Sequence, residues 1–122
     1  MIEVGTRYAR LPHEVGANQW ELAAYDVHEV REVFEDDLLV RTWNDNPAML
    51  HEAKQFLSGP LTQLEATART HDGAAWSATF EATTKACNAC HATAKTPFIV
   101  IDKNGYLSGA GYGALGSRSP MM

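Results

Sequence analysis

The 122-residue chain predicts an all-α fold, an antiparallel four-helix bundle followed by an irregular C-terminal tail. Two features predict it: apolar residues recur at steps of three and four along four successive stretches, and strand signals are almost absent. A third is the shortness of the links between those stretches, which an up-and-down bundle requires.

The first stretch, residues 1 to about 14, carries Met1, Val4, Tyr8 and Leu11 on one face, and Pro12 predicts a break or bend. After Trp20, the residues Ala23, Val27, Val30, Phe34 and Leu38 form the seam of a helix of about six turns. Asn44-Asp45-Asn46-Pro47 sets capping side chains before a proline suited to a first helical turn, so a new helix starts there. Its seam runs through Leu50, Ala53, Leu57, Leu61, Leu64 and Ala68, with a kink expected near Pro60. Thr70-His71-Asp72-Gly73 supplies a turn with Asp72 as cap, and Trp76, Phe80, Thr84, Cys87 and His91 share one face of the last helix.

The texture changes after His91. Residues 96 to 101, Thr-Pro-Phe-Ile-Val-Ile, read as an extended apolar run lying across a groove of the bundle. The glycines at 105, 109, 111, 113 and 116 mark residues 102–122 as a loose tail, leaving 1–101 as the one folded domain.

Composition excludes several classes of function. A hydrophobic share of 45% and a charged share of 20% are ordinary for a globular protein, and no run of apolar residues is long enough to span a membrane. The net charge of −5, with Lys and Arg scattered, argues against nucleic acid as a partner. Residues 1 to 20 hold too many charges for a secretory signal, so either a signal has been removed or none existed.

The only two cysteines lie three positions apart, too close to brace the fold. With the next residue they form Cys87-Asn88-Ala89-Cys90-His91, the C-x-x-C-H spacing of covalent haem attachment. Two thiols add to the two vinyl groups of the porphyrin, and the adjoining imidazole reaches the iron. A redox dithiol would open a helix after a strand, whereas this motif closes a helix. Zinc would need further ligands, which His13, His28, His51 and His71 supply only from scattered positions.

Residues 7–11 (Arg-Tyr-Ala-Arg-Leu), 17–25 (Ala-Asn-Gln-Trp-Glu-Leu-Ala-Ala-Tyr), the haem motif and Pro97-Phe98-Ile99-Val100 together resemble the cytochrome c prime superfamily, in particular its small periplasmic monohaem members. The resemblance covers residues 1 to about 101, and Tyr8 stands where relatives often carry histidine. It implies one haem c bound through Cys87, Cys90 and His91, with His91 as an iron ligand and a periplasmic location. It also implies Met1 as the sixth iron ligand, two helical turns from Tyr8 on the same face. Relatives pair through their first two helices, so a homodimer is an expectation, although one bundle accounts for the apolar faces here.

Around the cofactor, Tyr8 is a candidate hydrogen-bond donor to an iron ligand, or core. Arg7 and Arg10 are candidates for the haem propionates, with Lys85 and Lys95 as alternatives. Trp20, Trp76 and Phe80 are expected in the pocket wall or the core. The chain offers no paired catalytic carboxylates and no nucleophile with a base at readable spacing, so one-electron transfer between redox partner proteins is the expected function, not enzymatic catalysis. The alternative is a five-coordinate haem that binds or senses a small gas such as NO or CO.

Overall fold

The computed structural model describes residues 1–107. The fold is all-helical, and among the described residues the only β-pairing is an isolated antiparallel bridge between Ile101 and Leu107. Helix α1 spans Ile2–Gly16. Helix α2, Trp20–Val33, runs on as a π-helical stretch, π1, over Phe34–Thr42. A third rod comprises α3 (Pro47–Phe56), a π-helical turn π2 (Leu57–Leu61) and α4 (Thr62–Arg69). Helix α5 covers Gly73–Thr93.

The seams read from the sequence become the core, except that Met1 is exposed and Leu50 only half-buried, with Met49 beside it buried in its place. Val4, Tyr8 and Leu11 of α1 are buried, as are Ala23, Val27, Val30, Phe34 and Leu38 along α2 and π1. The third rod buries Ala53, Leu57, Leu61, Leu64 and Ala68, and α5 buries Trp76, Phe80 and Thr84. Helix α1 packs on α2, α2 on α4, and α5 on both α3 and α4. Tyr8 joins α1 to α5: its ring stacks on Phe80 at 4.7 Å, and its hydroxyl lies 2.7 Å from Thr84 Oγ1.

The expected caps are in place. The Asn46 side chain accepts from the Met49 amide at 3.2 Å with Pro47 in the first turn, and Asp72 Oδ1 accepts from Ala75 at 3.0 Å. Between α1 and α2, Asn18 adopts a left-handed φ of 63° and its Oδ1 accepts from Trp20 Nε1 at 2.9 Å, so the Asn-x-Trp pair fixes the corner.

One expectation changes. Pro12 does not break α1, which continues to Gly16. A proline inside a helix deprives the carbonyl four residues back of its donor, here that of Tyr8. The chain returns to cover this place: a Cβ on Gly105, at φ +86°, would stand 3.2 Å from the Tyr8 carbonyl oxygen and 3.2 Å from the Phe80 ring. At Pro60 the helix continues through π2, whose wider hydrogen-bond spacing accommodates the missing N–H, and Thr62 Oγ1 donates to the Leu57 carbonyl at 2.6 Å.

The packed chain also runs past residue 101. Asp102 to Leu107 form a tight turn in which Asp102 Oδ1 accepts from the amides of Asn104 and Tyr106, and Tyr106 is buried against the helices. The remainder of the expected tail, 108–122, lies outside the described residues.

Candidate cofactor site

Cys87, Asn88, Cys90 and His91 occupy the last two turns of α5, where steps of three and four gather side chains on one flank of a helix. Both cysteines are free thiols. Burial, then the neighbouring Cys90, pushes the Cys87 thiol up to about 12. Burial, then the carboxylate of Glu52, pushes Cys90 up to about 11. Cys90 Sγ points its proton at Glu52 Oε2, 3.8 Å away, while Glu52 Oε1 accepts from Thr93 Oγ1 at 3.1 Å. The negative end of the α5 dipole also disfavours thiolates here. A dithiol redox centre needs the opposite environment, one that lowers thiol pKa.

His91 is held by the segment that follows it. Its Nδ1 lies 2.8 Å from the Ile99 carbonyl oxygen. A carbonyl can only accept, so Nδ1 carries a proton and Nε2 is the ring nitrogen left to face a metal. A backbone carbonyl at the far nitrogen is the usual support of a metal-binding histidine, since it fixes both tautomer and ring orientation. The segment is tied down in turn: the amide and hydroxyl of Thr96 donate to the His91 carbonyl at 2.8 and 3.1 Å, and Asn88 bonds both backbone groups of Ile101.

These groups open onto a cavity of about 630 Å³, within the usual size range of ligand pockets. Cys87, Cys90 and His91 line it from α5; Met1, Val4, Tyr8 and Arg10 from α1; Val30, Phe34 and Trp43 from the second rod; Met49 and Phe56 from α3. Ile99, Ile101, Tyr106 and Leu107 complete the wall. Two thiols, an imidazole with a free Nε2 and a largely hydrocarbon wall suit a flat, hydrophobic, covalently held macrocycle such as haem c. Among the described residues no three His, Cys, Asp or Glu side chains come together as a metal-binding group, so the zinc alternative lacks its ligand set.

The other predicted site residues divide. Met1 lines the cavity, 51% exposed at the start of α1. Tyr8 contributes its ring to the wall, but its hydroxyl is spent on Thr84 and the Phe80 carbonyl, so it is not aimed at the cavity. Arg7 is not in the wall: it turns towards α2 and meets Asp26 at 2.7 Å, with Glu3 at 3.0 Å, because a buried carboxylate holds a guanidinium more firmly than a solvated group would. Arg10 lines the cavity in its place. Trp20 is also away from it, stacked on His71 and edge-on to Trp76. Lys85 is exposed beside Glu81.

Two further side chains, Met49 and His13, also line the cavity. Met49 is 2% exposed and faces the cavity, and His13 Nε2 lies 2.7 Å from the Tyr106 hydroxyl at its rim. The Asn46 cap accepts from the Met49 backbone amide and so fixes where this first turn of α3 begins. No protein-family model matches this chain, and no similar curated protein or solved structure was found.

Proposed function

We propose that this chain is a monohaem c-type cytochrome of the periplasm, folded as an antiparallel four-helix bundle, that carries single electrons between redox partner proteins. The observation that carries the reading is the placing of His91. Its Nδ1 is anchored on the Ile99 carbonyl while the ring shares a cavity wall with two protonated thiols. Haem c would be held through thioether bonds at Cys87 and Cys90 with His91 on the iron, and would supply a one-electron Fe(III)/Fe(II) couple.

The residues of this chain do the rest. Val4, Val30, Phe34 and Phe56 exclude water from the cavity, and a drier surrounding disfavours the more highly charged oxidised state, raising the reduction potential. Arg10, at the cavity wall, is placed to neutralise a propionate. Met1, at the start of α1, would offer its thioether as a second ligand to the iron.

A second reading, a five-coordinate haem open to a small gas, rests on a specific feature. Met1 is half exposed and precedes the first helical turn, so little packing holds it, and Tyr8 turns its hydroxyl away. The absorption spectrum of the reduced protein under carbon monoxide separates the two. An electron carrier with Met1 on the iron leaves the spectrum unmoved, and a prompt change to a carbonyl-bound spectrum would overturn it in favour of gas binding.

A further inference from the structure

Within the C-x-x-C-H spacing the two middle residues are usually spacers, but Asn88 is tied into the fold. Its Nδ2 donates to the Ile101 carbonyl at 3.1 Å, and the Ile101 amide donates back to its Oδ1 at 2.8 Å. A side-chain amide is the one group here that can offer a donor and an acceptor side by side, so it pairs with a peptide as a neighbouring strand would. Asn88 lies one helical turn before His91, and Ile101 lies two residues beyond Ile99, whose carbonyl holds His91 Nδ1 at 2.8 Å. On the other side, the amide and hydroxyl of Thr96 bind the His91 carbonyl at 2.8 and 3.1 Å, and Ile99 N donates to the Thr96 carbonyl at 3.0 Å. The Ile99 carbonyl is therefore bracketed from both directions by residues of α5 itself.

We infer that Asn88 is a positioning residue for the proximal histidine: by clamping Ile101 it fixes the Ile99 carbonyl, and through it the orientation and basicity of His91. The inference rests on the proposed haem function. A carbonyl accepting from Nδ1 makes Nε2 a stronger donor, and a stronger donor favours the ferric over the ferrous state. Asn88→Ala removes both bonds and leaves Ile101 held only by its burial and its bridge to Leu107, so the Ile99 carbonyl drifts from His91 and the equilibrium moves towards the reduced form. Changes in such outer partners alter metal-site properties by about tenfold or more. A tenfold change in a one-electron equilibrium is about 59 mV, upward in this case.

The test compares matured wild type, Asn88→Ala and Asn88→Gln. Intact mass reports haem attachment, potentiometry reports the Fe(III)/Fe(II) equilibrium, and amide hydrogen exchange reports the clamp directly. The expected result is one haem in each, a tenfold shift in Asn88→Ala with rapid exchange at Ile101, and a smaller shift in Asn88→Gln, which keeps the amide on a longer stem. If Asn88→Ala fails to mature, Asn88→Gln and wild-type protection decide: an Ile101 amide that exchanges as freely as an exposed loop overturns the clamp. A haem-bearing wild type whose potential is matched by Asn88→Ala also overturns it and leaves the functional reading standing. A wild type that matures without haem overturns the functional reading instead.

Discussion

Replacing Tyr8 by Phe removes a single oxygen from the interior and leaves the ring stack on Phe80, at 4.7 Å, in place. The lost hydroxyl bonds Thr84 Oγ1 at 2.7 Å and approaches the Phe80 carbonyl at 3.3 Å. Thr84 is not stranded, because the Phe80 carbonyl lies four residues before it in α5, within reach of the usual threonine back-bond. The cost is then one net hydrogen bond, about 1 kcal/mol, or about 3–6 °C in Tm for a domain of this size. Tyr8→Ala, which also empties the space beside Phe80, should cost about 3–5 kcal/mol. Urea unfolding of the two holoproteins gives both numbers, and the visible spectrum of the reduced form, with and without carbon monoxide, gives the rest. The spectrum of Tyr8→Phe should match wild type, because the hydroxyl faces α5. A variant with altered ligand binding and unchanged stability would show that the hydroxyl points into the cavity, and the assignment of Tyr8 to the α1–α5 joint would fail.

Three further outcomes are expected. Glu14 and Asp26 are buried with one oxygen each unpartnered, and burial, then the adjacent Asp26, pushes Glu14 up to about 8 against the opposing pull of Arg10 and Arg7. A folded pKa above the unfolded one means that the folded state holds the extra proton, so stability is fully present below about 4.5 and falls as pH rises towards about 8. Glu14→Gln, which mimics the protonated acid, should flatten urea midpoints measured from pH 5 to 9; parallel profiles for variant and wild type would refute the proton held on buried Glu14. Gly105→Ala sets a Cβ 3.2 Å from both the Phe80 ring and the Tyr8 carbonyl at a φ of +86°, and should destabilise the fold by about 1–3 kcal/mol in thermal unfolding, whereas a neutral result would mean the turn is not seated. In protein expressed without haem attachment, both thiols should be alkylated slowly by iodoacetamide at pH 7, and labelling faster than that of a free thiol would contradict their raised pKa values.

The parts of the fold that the sequence makes legible are those whose physics is local. Helical period alone puts Ala23, Val27 and Val30 on a buried stripe, and the Asn46 and Asp72 caps follow from side chains that can bond only the next turn. The π-helical stretches are not legible, because one extra residue per turn leaves the spacing of Phe34 and Leu38 compatible with an ordinary helix. Nor is the partner of Arg7: its position one residue before Tyr8 does not say which side of α1 it takes, and the buried Asp26 decides that from nineteen residues away. The glycine-rich composition after residue 102 hides Tyr106, whose burial depends on a return across α1 that no local pattern encodes. At the site, the cysteines and His91 are legible from spacing, whereas the support that orients His91 comes from a carbonyl, which no side-chain pattern reveals.

The most direct measurement is made on protein expressed in a host with haem-attachment machinery: intact mass together with a pyridine haemochrome spectrum. The account predicts the mass of the chain plus one haem, retained after denaturation, and the spectrum of a porphyrin with two thioether links at Cys87 and Cys90. A colourless protein at the mass of the bare chain would contradict it.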